Sequence, residues 1–409
     1  MRLAEVSAAL DRRLDPDSAA PLAVGFSGGG DSLALLILTL EWARRHGRPV
    51  LSLTVDHQLQ PDSALWTQEA VRKAAALGAR SLALAWTGPK PATGLSAAAR
   101  RARHALLAEA ARAAGARVLL LGHTADDRLE AAAMRAEGST VSDPRIWAPS
   151  PVWPQGRDVF LLRPLLGQRR AGLRAWLTER GQTWLDDPAN EDPGSTRARA
   201  RRALAPAAIP ATAPPEPAKP HFEGDPLGGL TLPRDAAAAH VAAACLCAAG
   251  TERPPRGERL QRLVARLRSG EAFTATLAGA RIEAEADSVR FLRDAGESKR
   301  GGLGDLALAA GQTGVWDGRF EIVAGTSPVT VRALKGLAAD LPEPQRKALR
   351  SVSPAARPAL PVLALPSGEV TCPVLGGPAF AGDPDVRIRA LVLDRFRAAT
   401  GLIDQECVT

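Results

Sequence analysis

Tyrosine is absent from this sequence of 409 residues, methionine occurs twice, and all four cysteines lie beyond residue 240. The first 240 residues therefore offer no thiol for a persulfide, an iron–sulfur cluster or a Cys-x-x-Cys zinc site. Further along, Cys245 and Cys247 form a Cys-x-Cys with no other ligand types nearby, which reads as buried thiols. Long apolar runs are also missing. "LALLILTL" and "AAAAHVAAACLCAAG" are too short or too weakly hydrophobic to cross a bilayer, which takes about 20 apolar residues. The opening "MRLAEVSAALDRRLDPD" is charged throughout and lacks the apolar core of a secretion signal. A cytoplasmic protein without membrane contact is expected. Acidic residues are outnumbered, 44 against 52 basic ones, giving a net charge of +8. The excess is mostly arginine, which suits a polyanionic partner and equally suits a biased genome.

The chain is long enough for two or three domains. From residue 22 to 200, short apolar runs ("PLAVGFS", "PVLSLTVDH", "RSLALAW", "ARVLLLGHT") alternate with segments of helical period. This predicts an α/β fold, a doubly wound parallel sheet whose ligands sit at the carboxyl ends of the strands. The chemically suggestive stretches fall there: "SGGGDS" after the first strand, "DHQ" after the second and "GHTADD" after the fourth. We place this domain at residues 1–204 and a Pro/Ala-rich linker at 205–226. A mainly helical domain (227–298), with helices at 235–249 and in "RGERLQRLVARLRSG", is expected next. The last segment is an expected α+β recognition domain (299–409) with strands "RFEIVAG" and "VTVRAL" and a closing helix "DVRIRALVLDRFRAATG".

The loop Ser27, Gly28, Gly29, Gly30, Asp31, Ser32 nearly spells the phosphate loop of common ATPases, with Asp31 where lysine belongs. Glycines after a strand let backbone N–H groups reach phosphate oxygens at a helix N-terminus. A carboxylate among them fits if a Mg²⁺ ion lies between it and a pyrophosphate. Asp31 and Ser32 could also simply cap the helix.

"SGGGDS" resembles the signature of the PP-loop (N-type) ATP pyrophosphatases, in which the loop holds pyrophosphate and needs no lysine. Within that superfamily "VDHQLQPDS" (55–63), "AARRARHALLAEAA" (98–111), "LLLGHTADDRLEAAAMR" (119–135) and "LLRPLLGQRRAGLRAWLTERGQTWLDDPANEDPGSTRARARRAL" (161–204) are similar to the tRNA(Ile)-lysidine synthases. That resemblance implies ATP and Mg²⁺ as cofactors and two substrates, L-lysine and a CAU-anticodon tRNA(Ile). The wobble cytidine would be adenylated at O2, and lysine would then displace AMP at C2. No protein partner beyond a second copy of the chain is implied.

By the same resemblance Asp31, Arg103, Asp127 and Glu130 are the catalytic residues, with Asp31 also the metal ligand. Asp127 and Glu130, three apart on one helix face, suit a lysine ammonium; on the residues alone, Thr124, Asp126 and Asp127 could equally be starting a helix. Arg103 fits developing phosphate charge, and the aromatic the family carries after it is here His104. Asp56, His57 and His123 are placed beside the nucleotide. Arg197, Arg199, Arg201 and Arg202 are placed on tRNA, although charge runs are usually solvated faces. The family's residues at three positions are replaced by Arg128, Ala131 and Ala198. A thiolase would need cysteine in the first domain, and a non-catalytic RNA-binding protein would show an eroded loop; neither fits.

Overall fold

The computed structural model describes residues 3–138, 141, 143–185, 219–376 and 385–407. The chain divides into two compact units, Met1–Glu216 joined by Ile403–Thr409, and Pro217–Leu402.

In the first unit α1 (Leu3–Arg13) precedes β1 (Leu22–Gly25), α2 (Gly30–Arg45), β2 (Val50–Asp56), α3 (Ser63–Ala76) and β3 (Arg80–Ala85). They are followed by α4 (Leu95–Ala113), β4 (Val118–Leu121), α5 (Ala125–Ala136), β5 (Trp147–Pro149), β6 (Phe160–Leu162) and α6 (Arg170–Glu179). The sheet order is β3-β2-β1-β4-β6-β5, parallel except for the β5 edge. Continuous apolar runs such as "LAV" and "VLLL" make sense here because both faces are covered. Leu22, Val24, Val118, Leu120 and Leu162 pack toward α1, α2 and α6. Their alternates Ala23, Leu119, Leu121 and Leu161 pack toward Leu107 and Ala111 of α4. The chain leaves neighbouring strands β1 and β4 into α2 and α5, the switch point where such sheets bind ligands.

A buried ion pair fastens the C-terminal residues to this unit. The Glu406 carboxylate receives both Arg48 Nη groups (2.7 and 2.8 Å) and the Asp15 N–H (3.1 Å), and its own N–H donates to the Arg13 carbonyl. Both side chains are 1% exposed. Ile403 accepts a hydrogen bond from the Trp147 indole.

The second unit begins with β7 (Glu223–Gly224), β8 (Leu230–Pro233), α7 (Ala238–Ala249), α8 (Gly257–Arg268), β9 (Phe273–Leu277), β10 (Ala280–Ala284) and β11 (Ser288–Arg293). The expected mainly helical segment 227–298 thus holds β8 to β11 beside its two helices, in a sheet of order β7-β8-β11-β10-β9 whose first strand lies within the expected linker 205–226. The apolar helix α7 packs on it, and Cys245 and Cys247 are buried free thiols pushed up to about 12 by burial. Two further sheets follow, one of them containing Phe320–Val323 paired with Arg387–Ala390. The expected closing helix is therefore strand in its first part. "VRIRA" alternates in and out with period two against its neighbour, and the helix spans only Val392–Ala399. Among the described residues no helix is long and apolar enough to cross a membrane.

Breaking a buried ion pair from one side leaves an uncompensated charge. Arg48→Met should lower the stability of the first unit by about 3–5 kcal/mol, read as a lower urea midpoint. Adding Glu406→Gln should recover part of the loss, and an unchanged midpoint in the single variant would show that the pair holds nothing.

Candidate active site

The loop after β1 is shaped by its neighbours. Gly28 has φ +83°, and a Cβ there would stand 2.6 Å from Leu185 Cδ1, so any side chain would be strained and would displace Leu185. The Leu185 N–H donates to the Gly28 carbonyl (3.0 Å), and Trp184 lies against Gly30. Ser32 Oγ donates to the Gly29 carbonyl (2.9 Å) and accepts the Ser27 N–H (3.2 Å). Gly29 is the N-cap and makes no side-chain cap, so the helix-capping alternative does not apply to Asp31 and Ser32. Free backbone donors and the positive end of α2 are left facing the loop.

Three segments meet beside Asp31. A Cβ on Gly122, just after β4, would lie 3.1 Å from the Asp31 backbone, so this strand end is pressed against the start of α2. Thr124 starts α5 through a capping box, its N–H (2.7 Å) and hydroxyl (2.9 Å) donating to Asp127 Oδ2. The helix-start reading of this stretch is therefore correct, and the same carboxylate faces the site. Arg170, the first residue of α6, spans the gap. Its Nε donates to Asp31 Oδ2 (2.8 Å), Nη1 lies 3.4 Å from Glu130 Oε1 and Nη2 3.8 Å from Asp127 Oδ2. Its backbone N–H donates to Asp126 Oδ2 (2.7 Å), and Arg169 pairs with Asp126 (3.0 Å). Glu130 is 3% exposed.

Burial raises the Asp31 pKa despite Arg170. Burial works against the Asp127 carboxylate, the hydrogen bonds from Thr124 and the charge of Arg170 favour it, and the carboxyl lies below its usual value. Asp31 Oδ1 is buried with no hydrogen-bond partner. An orphaned carboxylate oxygen beside a phosphate-binding loop fits a Mg²⁺ ligand, since Mg²⁺ uses one or two carboxylates together with phosphate oxygens. No cluster of three His, Cys, Asp or Glu residues suited to a metal occurs among the described residues.

A basic side borders the acidic one. Arg163 Nε donates to His123 Nδ1 (3.2 Å) and Nη1 to the Arg145 carbonyl (2.9 Å). Burial lowers His123 to about 3, with Arg163, Arg103 and Arg100 acting in the same direction. His104 falls to about 2 through burial, then Arg103 and Arg100. His57 is lowered by burial and by Arg103. At the end of β2, Asp56 Oδ1 accepts the Gln58 N–H (2.8 Å), and His57 stands edge-on to Trp86.

The structure thus assembles Ser27–Ser32, His123, Asp127 and Glu130 around one point, sets Arg103 among the basic groups, and leaves Asp56 and His57 at the adjoining strand end. Arg197, Arg199, Arg201 and Arg202 lie outside the described residues. Arg170, Arg163 and the Trp184–Leu185 contact were not singled out from sequence. The signal for Arg170 was its position: two arginines opening a helix run against the helix dipole unless carboxylates face them.

A PP-loop domain family matches residues 3–208. Over its full length the chain is 62% identical to the tRNA(Ile)-lysidine synthase of Caulobacter vibrioides, with both chains covered completely. It is 37% identical to that of Hyphomonas neptunium over 74% of this chain and 89% of the relative. For Rhizobium meliloti the identity is 34%, over 76% and 74%. The fold and loop define a PP-loop protein. More narrowly, the chain belongs to the tRNA(Ile)-lysidine synthase family.

A histidine whose folded pKa is depressed binds a proton more readily once unfolded, so its contribution to stability is present above pH 6.5 and lost as pH falls below it. For His104, which is 3% exposed, that loss is about 1.4 kcal/mol one pH unit below 6.5. His104→Phe should flatten the acid-side fall of the thermal midpoint by a corresponding amount; an identical pH profile would contradict the buried neutral imidazole.

Proposed function

We propose that this chain joins L-lysine to C2 of the wobble cytidine of a CAU-anticodon tRNA(Ile), consuming ATP. Cytidine O2 attacks the α-phosphorus, the bond to the β-phosphate oxygen breaks, and pyrophosphate leaves. The lysine ε-amine, once deprotonated, attacks C2; the C2–O2 bond breaks and AMP departs. The observation that carries this reading is the meeting of the phosphate-loop carboxylate Asp31 with Asp127 and Glu130 at one guanidinium. In this reading a nucleotide site and an ammonium site lie within one side chain's reach.

In this reading the loop Ser27–Ser32 holds the pyrophosphate part of ATP through the N–H groups that follow Ser27, whose own N–H is taken by Ser32 Oγ, and Asp31 Oδ1 would hold Mg²⁺, which supplies charge neutralisation at the phosphates. Arg103 and His123 contact phosphate, Asp56 and His57 line the adenine side, and Asp127 and Glu130 bind the lysine ammonium. The arginines at 197, 199, 201 and 202 take tRNA phosphates. The reaction belongs in the cytoplasm, with its tRNA substrate.

The purified protein, given ATP, Mg²⁺, labelled lysine and a CAU-anticodon tRNA(Ile) transcript, should place label in the RNA, and a C34U transcript should stay unlabelled. Label in both or neither would overturn the reading. Asp31→Ala should cut tRNA-dependent pyrophosphate release by on the order of 10²-fold or more. Glu130→Gln should instead raise the lysine KM by about tenfold to a hundredfold, the scale of a hydrogen bond to a charged group. A Glu130→Gln enzyme with unchanged lysine dependence would remove that assignment.

A further inference from the structure

We propose that Arg163 is a positioning residue that fixes His123 as a neutral imidazole carrying its proton on Nε2, so that the ring presents a hydrogen-bond donor to the bound nucleotide and takes no part as a base. The proposal rests on the reading above that His123 borders the nucleotide, and it adds a residue and a protonation state to that reading.

A guanidinium has only N–H donors, so across the 3.2 Å separation between Arg163 Nε and His123 Nδ1 the imidazole nitrogen must accept. A neutral imidazole has one proton, and with Nδ1 accepting, that proton is on Nε2. A doubly protonated ring would set N–H against N–H. Arg163 cannot easily turn away. It is 7% exposed, its Nη1 donates to the Arg145 carbonyl (2.9 Å), and its backbone N–H donates to the Ile146 carbonyl (2.8 Å) next to the β5–β6 ladder. No carboxylate pairs with it among the described residues, so imidazole and carbonyl are its only acceptors there.

His123 is equally constrained. Its N–H donates to the Leu121 carbonyl (2.9 Å), a tight turn that closes β4, and the preceding Gly122 abuts the Asp31 backbone. His123 therefore leaves the strand one residue after the point where the chain abuts the start of α2. Charge acts in the same direction as geometry. The charges of Arg100 and Arg103 act on both His123 and Arg163, and the charge of Asp127 opposes them by favouring an imidazolium. Burial with these cations lowers Arg163 itself to about 10. A site in which three guanidinium groups gather beside a strand end is suited to phosphate, and a neutral N–H donor adds to it without adding another charge to desolvate.

Nitrogen-15 NMR of the histidine side chains in the full-length protein tests this directly. The His123 ring should show the Nε2–H tautomer, Arg163→Lys should retain it because an ammonium also donates to Nδ1, and Arg163→Met should give a mixture. In tRNA-dependent pyrophosphate release, Arg163→Met should lower kcat by about tenfold, the scale of one hydrogen bond made in the transition state, and Arg163→Lys should restore most of it. His123→Gln, whose amide nitrogen stands near the Nε2 position, should retain more activity than His123→Asn, whose amide stands near Nδ1. A Nδ1–H tautomer in the unmutated protein would overturn the proposal, as would an unaltered tautomer in Arg163→Met. Those results concern the ring alone, so they are distinct from a failure to make lysidine, which the labelled-lysine assay reads.

Discussion

One guanidinium holds three separate parts of the first unit together. Arg170 reaches Asp31 from the loop after β1 and Asp127 and Glu130 from α5, while its own backbone opens α6 on Asp126. Four carboxylates gathered in partly buried space would repel one another and draw protons. Arg169 and Arg170 supply the opposing charge, and the carboxylates in turn offset the cost of starting a helix with two cations. Each element's position depends on the others, because a buried pair broken from one side costs far more than its net contribution when intact.

Around this point the charges separate. Acids lie on the side of α5 and α6, while Arg100, Arg103 and Arg163 lie with two neutral histidines toward α4 and β6. For the reaction proposed, this division has a chemical use. Phosphates and a cationic amine must be held close together, yet each needs surroundings of the opposite sign. The glycine loop supplies donors without charge, and the Oδ1 of Asp31 beside it is buried with no hydrogen-bond partner.

The first unit was largely legible because its signals are local. Apolar runs marked the strands, and "SGGGDS" and "GHTADD" fell at strand ends as expected. Thr124 and Asp127 satisfied two readings at once, a helix start and a site carboxylate, which sequence alone could not weigh against each other. Arg170 was not legible as a hub because Asp31 lies 139 residues away, and Glu406 finds Arg48 across 358. Pairings of that length leave no periodic trace. "VRIRA" misled because a strand at the end of an arginine-rich segment also satisfies helical spacing, and only its ladder with Phe320–Val323 decides between them.

The central claim is that Arg170 serves both halves of the site at once. The most direct measurement is tRNA-dependent ATP–pyrophosphate exchange without lysine and lysine transfer with it, in one preparation of Arg170→Met. The account predicts that both fall together, by on the order of 10²-fold or more. Exchange at the unmutated rate, with only lysine transfer lost or with neither lost, would contradict it.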